Sequence, residues 1–593
     1  MNHKKNNCKM KNIKLILLVT AFVSVFTACD TLLDPGVDNN RDISILLNNP
    51  ASYEGLLLNV YASIPSSYNF DLDAATDDAV TNISNSSYKR MASDGWLSNS
   101  SPVTKWSNYN SIYTINLFLE NLDEVIWTPA VKLSALDNQN FKKFHTQRMR
   151  GEAYALRAYL QFQLLQAHSG LSNSDELLGF PIITKTLKPS DDLKIPRSSF
   201  DLCVTQISND CDSAIKYLPF IYKDSINNAT TTNYVYNITL GKAYSNRING
   251  SIAKTIQAKT LLYAASPAYN PTNSEVRWQN AALKAGNLLK ELGNNALAPS
   301  PAGHLFYTKV YTSTDVATEC IWRRDRSTNQ STYEKNNFPP SKNGNGNINP
   351  TQNLVDAFPD ANGYPISQST LYSSANPYAS RDPRLTEYIV YNQNPKRLIS
   401  TYEGAPSDGI NASSFATRTG YYLRKFVMEP VTIVGTSITG VERFHTIFRH
   451  TDLMLMYAEA ANEAYGPDGK PNGISFSARD IIRTIRLRAG ILDQTYVNSI
   501  LSKEDFRKLI QNERRIELCF EGERFWDIRR WKLINEMTQP AKGMLVTTPD
   551  AGLTFTYTEI PAVENRMYLP HMIYGPIPYS ETLKYNIQQN KGW

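Results

Sequence analysis

Two glutamates on one face of a helix near the end of the chain are the first candidates for chemistry. Residues 503–537 carry apolar side chains at helical spacing, and Glu513 and Glu517 lie on that apolar stripe. The apolar members of the stripe are Phe506, Ile510 and Phe520. Two carboxyl groups about 5 Å apart are what a retaining glycosidase requires. The spacing therefore raises the hypothesis of a glycoside hydrolase.

Arginines surround both glutamates in the sequence and argue against that hypothesis. A neighbouring cation favours the ionised carboxylate, whereas a general acid must hold its proton near neutral pH. Arginine also pairs with carboxylates through two N–H groups, which makes buried charge tolerable. Arg524 and Arg530 lie three residues before and after Asp527, within helical reach. We predict no catalytic residue here, but a structural charge clasp made of Glu513, Glu517, Arg524, Asp527 and Arg530.

Aromatic residues in loops are the candidates for ligand binding. Sugar rings can stack on aromatic rings, and the chain contains 34 Tyr and 8 Trp. Trp96, in the segment SDGWLSN, lies outside any helical stripe, and three tyrosines have similar settings. A loop tryptophan can also cover a core, so both interpretations stay open for it. The predicted ligand-binding residues are Trp96, Tyr68, Tyr333 and Tyr372, whereas the predicted core residues are Trp106 and Trp322.

Two polar motifs favour structure over binding. The segment DLDAATDD (71–78) offers four aspartates that could hold calcium. It lacks the glycine and the spacing of an EF-hand loop, so we predict a solvated acidic loop or a helix cap. In RDPRL (381–385), Asp382 is a good N-cap and Pro383 suits a first helical turn, which predicts scaffold.

Metal-binding patterns are missing from the sequence. It contains neither CxxC nor HExxH, and its seven histidines are scattered. Cys203 and Cys211 fall on the apolar face of a helical pattern, which is typical of core residues. We therefore predict no metal and no cofactor.

The N-terminal residues resemble a secretory signal followed by a lipid-attachment cysteine. Residues 1–28 hold five lysines and no acid, and their apolar run from 15 to 26 is shorter than the ~20 residues that span a bilayer. Cys29 follows small residues, as in a bacterial lipobox, although an ordinary cleaved signal is the alternative. We predict a signal peptide over 1–28, starting at Met1 or Met10, and lipidation of Cys29, whose acyl chains would hold the protein on a membrane.

Net charge argues against a nucleic-acid partner. The chain has 61 Lys and Arg against 55 Asp and Glu, and without the five signal lysines the ratio is 56 to 55. A near-neutral chain with no basic run lacks the positively charged surface that binds a nucleic-acid phosphate backbone.

Helical periodicity dominates the rest of the chain. The predicted helical stretches are 108–126, 142–168, 200–218, 252–269, 278–292, 448–465, 475–489 and 503–537. Small residues facing large ones on successive helices suggest tetratricopeptide-like hairpins. Residues 294–447 are instead rich in Gly, Asn, Pro, Ser and Tyr, with strand-like runs ECIWRR and PVTIVGT, and 326–350 is predicted to be loop. We predict a mainly α single domain over 29–593, made of a helical part (29–293), an insertion rich in loops and short strands (294–447) and a second helical part (448–593).

Motifs spread along the whole chain resemble the SusD/RagB family. They occur in the family's order: CDTLLDP (29–35), GEAYALRAYLQFQLLQ (151–166), GFPII (179–183), QNLVDAFPDANGYPI (352–366), RDPRL (381–385), FRHTDLMLMYAEAANEA (448–464), IRLRAGI (485–491), NERRIELCFEGERFWDIRRW (512–531) and YGPIPYSETLKYNIQQNKGW (574–593). The resemblance implies a scaffold of tetratricopeptide-like helical hairpins under a loop-built surface.

The same resemblance implies a function. Members of that family are outer-membrane lipoproteins, not known as enzymes, that partner a TonB-dependent transporter of SusC type in nutrient uptake. We therefore expect a lipid-anchored protein facing the cell surface that binds an oligosaccharide and delivers it to such a transporter. A peptide-binding lid of RagB type, a lid that contacts the transporter but no ligand, and a lipid-anchored glycosidase stay open as alternatives.

Overall fold

The structure is a computed structural model and describes residues 43–225, 231–293, 305, 308, 319–325, 330–550 and 554–593. The predicted signal peptide, Cys29 and most of residues 294–318 lie outside these ranges. In the described part of the chain, no helix is both long and apolar enough to cross a membrane.

Long helices fill the N-terminal part. They are α1 (Ile43–Leu47), α2 (Pro50–Ser63), α3 (Ser87–Ser93), α4 (Asn108–Asn121), α5 (Ala135–His168), α6 (Phe200–Tyr217), α7 (Thr231–Leu240), α8 (Gly250–Ala265) and α9 (Glu275–Leu292). Serine caps begin two of the longest: the Ser134 hydroxyl accepts from the Asp137 N–H before α5, and Ser199 accepts from Leu202 before α6.

Shorter helices and a second long group follow. They are α10 (Thr332–Asn337), α11 (Gln352–Ala357), α12 (Pro383–Tyr388), α13 (His450–Tyr465), α14 (Ala478–Ala489), α15 (Thr495–Ser499), α16 (Lys503–Glu517), α17 (Arg524–Arg530), α18 (Ile534–Thr538) and α19 (Tyr579–Thr582). As predicted, Asp382 caps α12 by accepting from the Arg384 N–H, and Pro383 is its first residue.

The strands pair into small, two-stranded antiparallel sheets. The pairs are β1 (Ala79–Thr81) with β5 (Ile348–Pro350), β2 (Gly170–Leu171) with β3 (Leu177–Leu178), β4 (Cys320–Asp325) with β10 (Phe444–Arg449), β6 (Ile389–Val390) with β7 (Tyr422–Leu423), β8 (Thr432–Val434) with β9 (Ser437–Thr439), and β11 (Ala541–Thr547) with β12 (Thr556–Glu564). The strand-like runs ECIWRR and PVTIVGT thus form β4 and β8, as predicted.

The scaffold is a continuous stack of helices. Helix α6 packs between α5 and α8, α8 packs on α9, and α9 packs on α13, which in turn contacts α14 and α16. Alanines on α8, α9 and α13 are fully buried where these helices approach one another. Cys203 and Cys211 are buried in α6, as predicted. The mainly helical fold with hairpin-like stacking is confirmed.

Two local predictions are wrong. Residues 326–350 are not all loop, because α10 and β5 lie within them. Residues 503–537 do not form one helix: α16 ends at Glu517, and Phe520 and Gly522 both take left-handed backbone angles, with φ of 60° and 79°. A left-handed residue cannot continue a right-handed helix. Phe520 therefore lies in a turn with its ring fully buried.

Candidate functional site: a polar cleft above a buried ion-pair network

Glu513 and Glu517 lie at the centre of a buried ion-pair network. Arg384 donates to both, at 2.6 Å and 2.9 Å, and also pairs with Asp382 at 2.8 Å. Arg486 holds the other oxygen of Glu513 at 2.9 Å. Glu517 also pairs with Arg449, at 3.0 Å, and with Arg488. We call this set the clasp network; its members are Asp382, Arg384, Arg449, Arg486, Arg488, Glu513 and Glu517.

Electrostatics in the clasp network oppose acid catalysis. Burial alone would raise the pKa of Glu517, but Arg488, Arg449 and Arg384 hold it well below its usual range. The carboxyl group therefore stays ionised at neutral pH and has no proton to give a leaving group. Both glutamates are also fully buried, so this pair offers no surface to a sugar.

A second set of buried ion pairs fixes the position of helix α17. Asp527 accepts from Arg530 at 2.8 Å, as the spacing predicts, and from Arg514 at 2.7 Å. Arg530 also binds Glu459. The predicted pair between Arg524 and Asp527 is wrong, because Arg524 points instead to Asp77, at 2.8 Å.

The partner of Arg524 belongs to the acidic segment 71–78, for which a solvated acidic loop or a helix cap was predicted. The solvated loop is wrong, because Asp73, Asp77 and Asp78 are buried, and Asp71 and Asp73 lie in the first turn of a 3-10 helix over Phe70–Ala75. Arg515 pairs with Asp77 at 2.9 Å and with Asp78 at 2.7 Å, so α16 and α17 supply the counter-ions for this segment. Within the described residues no group of three or more His, Cys, Asp or Glu side chains could hold a metal ion.

A cleft of about 210 Å³ opens directly above these ion pairs. Its floor is the turn between α16 and α17, and its walls come from the loop before β1, the loop before α4, helices α5 and α8, and strand β10. The cleft is defined by Tyr68, Asn69, Tyr88, Lys105, Gln163, Gln166, Lys259, His445, Glu521, Gly522, Glu523 and Trp526. It is smaller than the ~300–1,000 Å³ of a pocket that encloses a drug-sized ligand, so it fits part of a longer ligand.

Neutral polar groups line one side of the cleft. Tyr88 accepts from the Asn69 amide at 2.6 Å. Gln163 donates to Tyr159 and accepts from Asn108, at 3.1 Å and 3.0 Å, which orients its amide. Burial raises the pKa of Tyr88, so its hydroxyl keeps its proton at neutral pH. This wall presents hydroxyl and amide groups beside the partly exposed Trp526 ring.

The opposite side of the cleft is charged, and its acids are paired. Glu521 binds Lys425 and Arg449, both at 2.8 Å. Glu523 binds Lys259 at 2.6 Å and Arg514 at 3.0 Å. Burial raises the pKa of Glu523 despite these cations, whereas Asp452 and Glu523 raise the pKa of Lys259 against the effect of burial.

The four predicted ligand-binding aromatics do not form one site, and of these four only Tyr68 lines the cleft. Trp96 is only 3% exposed, packs edge to face on Trp593 with 5.0 Å between ring centroids, and donates to Ser101 at 2.9 Å. The Arg529 guanidinium lies 5.0 Å from the centroid of the Trp96 ring, so the structure places this tryptophan in a core and leaves it no ring face for a sugar. Trp322 is buried, as predicted, and Trp106 is partly buried against the N-terminal core.

The three tyrosines differ in position. Tyr68 lies at the cleft but is largely buried against Phe426 and His445. Tyr333 is in α10, not in a loop, and its hydroxyl oxygen accepts from the Tyr68 N–H at 2.8 Å, so it supports the cleft from below. Tyr372 is partly exposed beside Arg381 and does not line the cleft.

Most of the cleft residues were not predicted from the sequence. The signal for Gln163 and Gln166 was present, since YLQFQLLQ places three amides, those of Gln161, Gln163 and Gln166, in an otherwise apolar part of α5. Glu521, Glu523 and Trp526 lie within 503–537, which was predicted to be one helical stretch, so the turn between α16 and α17 was not recognised.

Comparison with known proteins places the fold in one class of binding proteins. A sequence profile of the SusD family matches residues 318–593, and a second profile, described as starch-binding associating with outer membrane, matches residues 38–239. The chain belongs to the SusD family. A curated relative, a SusD-like protein P38 from Formosa agariphila, is 22% identical over 90% of this chain and 94% of its own length.

Solved structures agree with this assignment. A SusD-like protein from Bacteroides fragilis superposes with a TM-score of 0.70 at 22% identity, covering 94% of this chain and 99% of the other. A SusD-like carbohydrate binding protein from the same organism gives a TM-score of 0.65 at 19% identity, covering 91% and 98%. These likenesses show a shared fold.

Proposed function

We propose that this protein binds a glycan in the cleft and delivers it to a SusC-type TonB-dependent transporter. The observation that carries the proposal is the make-up of the cleft: a partly exposed Trp526 ring and the Tyr88 ring beside the amides of Asn69, Gln163 and Gln166. Saccharides need both an apolar platform and hydrogen-bonding partners for their hydroxyls. Family membership and a carbohydrate-binding structural relative add support.

A glycosidase centred on Glu513 and Glu517 has no such support. Both carboxylates are fully buried and bound to arginines, so neither reaches the cleft as an acid or a nucleophile. The proposed role is therefore capture of the ligand without cleavage of it.

The direct test is glycan binding by the purified mature chain, measured by calorimetry against a panel of neutral and acidic oligosaccharides. We expect Tyr88→Ala to weaken binding about tenfold through loss of its ring contact. The matched control is Tyr113→Ala, since Tyr113 is 48% exposed on α4 and does not line the cleft. Equal loss in both variants, or no binding to any member of the panel, would count against the proposal.

We also propose that Cys29 carries the lipid that anchors the protein to the outer membrane, with the cleft available at the cell surface. Mass spectrometry of the N-terminal peptide should detect diacylglycerol on Cys29, and Cys29→Ala should release the protein from the membrane fraction. An unmodified Cys29 in membrane-bound protein would refute the anchor. Delivery predicts that the protein co-purifies with a TonB-dependent transporter and that uptake stops when the gene is deleted.

A further inference from the structure

Lys105 differs from the other lysine and the glutamates of the cleft. Glu521, Glu523 and Lys259 are each held in two or more ion pairs. Lys105 has no acidic group within ion-pair distance among the residues that the structure describes. It is only partly exposed, and burial lowers the pKa of its ammonium group. Among the described residues, the cleft thus contains one lysine ammonium group without a counter-ion.

The main chain of Lys105 is held firmly in place. Its N–H donates to Nε2 of His168 at 3.0 Å, and Nδ1 of His168 donates to the Pro576 carbonyl at 2.7 Å. Burial lowers the pKa of His168 to about 4, so the imidazole is neutral near pH 7 and can accept and donate in this way. The Lys105 carbonyl accepts from the Asn108 N–H where α4 begins. The lysine is therefore fixed at the cleft by its backbone, which leaves the side chain for another role.

An unpaired, partly buried ammonium group is unfavourable in the empty protein. Removal from water penalises the charged form, and a ligand anion would offset that penalty. Because the backbone is already ordered, a ligand that pairs with this group loses less freedom on binding than it would at a flexible surface lysine.

We propose that the cleft selects acidic saccharides, and that the Lys105 ammonium group pairs with a carboxylate or a sulfate ester on the sugar. This inference rests on the proposed glycan-binding function. The chemistry around Lys105 fits such a ligand, since Gln163 and Gln166 supply partners for hydroxyls and Trp526 supplies a ring face in the same cleft. Among the described residues of the cleft, Glu521 and Glu523 are already paired, so the Lys105 ammonium group is the charge that is available to a ligand.

The test measures affinity by calorimetry for three probes: tetragalacturonate as the carboxylate, a sulfated carrageenan tetrasaccharide as the sulfate ester, and maltotetraose as the neutral sugar. We expect at least one acidic probe to bind more tightly than maltotetraose. Lys105→Met should weaken acidic binding about tenfold to a hundredfold, as expected for loss of a charged hydrogen bond, and should weaken maltotetraose binding by a clearly smaller factor. Lys105→Arg should retain most of the acidic affinity. The two acidic probes identify which anion is recognised.

Lys142→Met is the matched control. Lys142 is an exposed lysine of α5 that lies 21 residues before Gln163 on the same helix, about 30 Å away, so it removes the same charge far from the cleft. Thermal unfolding separates binding from folding: since no described acidic residue pairs with Lys105, Lys105→Met should not lower the midpoint temperature. A large decrease would assign Lys105 a structural role and overturn the proposal.

The remaining outcomes are also decisive. Equal losses in Lys105→Met and Lys142→Met, or neutral binding as tight as acidic binding, would overturn acidic selectivity while the glycan-binding function stands. Binding of an acidic peptide such as pentaglutamate, with no binding of any saccharide in the wider panel, would overturn both. Acidic binding that depends on Lys105 and weakens with added salt would support both.

Discussion

The clasp network and the cleft use the same residue types in neighbouring space and differ in how their charges are balanced. In the clasp network Glu513 and Glu517 each meet two or more cations, Asp382 meets Arg384, and none of the three carboxylates is exposed to solvent. In the cleft Glu521, Glu523 and Lys105 are partly exposed; the two acids are still paired, whereas Lys105 has no acidic partner among the described residues. A dense run of Arg, Glu and aromatic residues therefore does not itself indicate function. Pairing and exposure separate the scaffold from the candidate binding site.

The largest expected effect on stability comes from removing the central cation of the clasp network, Arg384. Arg384→Met leaves three buried carboxylates, those of Asp382, Glu513 and Glu517, short of a partner. We expect the free energy of unfolding to fall by about 3–5 kcal/mol or more, because an uncompensated buried charge is costly. Urea unfolding followed by circular dichroism measures the effect.

Lys508→Met serves as the control for that experiment. Lys508 pairs with Asp505 on the surface of α16, with both side chains more than half exposed, so its loss should change stability by no more than about 1 kcal/mol. A similar effect in both variants would mean that the clasp network does not stabilise the fold. Glycan affinity of the Arg384 variant, measured where it is still folded, should change little, since Arg384 does not line the cleft.

The contribution of the clasp network to stability should depend on pH. The pKa of Glu517 is lower in the folded protein than its usual value near 4.5, so its contribution is present above about pH 4.5 and is lost as the pH falls below it. Glu517→Gln cannot titrate. We expect this variant to be less stable at pH 7, by about 3–5 kcal/mol, and to lose less additional stability than the natural chain between pH 4.5 and lower pH.

Acid titration of unfolding free energy, with Glu291→Gln as an exposed control, checks this expectation. The Glu291 side chain is 42% exposed and pairs with Lys254, so loss of this surface pair should change the unfolding free energy at pH 7 by no more than about 1 kcal/mol. Parallel curves for the natural chain and Glu517→Gln would show that Glu517 gains nothing from its arginines on folding.

Much of the scaffold could be predicted from the sequence because helical periodicity and caps are local signals. The start of α6 at Phe200 and the capping of α12 by Asp382 are examples. The break after Glu517 was missed because Phe520, a non-glycine residue, takes a left-handed angle that tertiary packing enforces. The burial of Asp77 was missed because its partner Arg524 is 447 residues away, and no local pattern reports such a pair.

The cleft was harder to predict than the scaffold for the same reason. Its walls come from segments near residues 68, 88, 105, 163, 445 and 523, which only the fold brings together. The residues around Trp96 have the composition of a binding loop, but the Trp96 ring lies in a core between Trp593 and Phe525. Loop position alone does not predict exposure.

The turn that joins α16 to α17 belongs to both the clasp network and the cleft. Of the substitutions discussed, that of Gly522 in this turn is expected to have the smallest effect on stability, and it distinguishes the two roles of the turn. Gly522 has φ of 79°, and an added Cβ would come no closer than 3.7 Å to another residue, at Leu72, so Gly522→Ala adds backbone strain without a clash. We expect a loss of about 1–2 kcal/mol in unfolding free energy. Because Glu521 and Glu523 flank this residue in the cleft, we also expect weaker glycan binding in calorimetry.

Gly55→Ala is the control. Gly55 lies inside α2 with no atom within 4 Å of the new Cβ, so this variant should gain about 0.5–1 kcal/mol in unfolding free energy and bind glycan normally. Loss of stability in Gly522→Ala with unchanged affinity would assign the turn to the scaffold alone and move the binding site away from it.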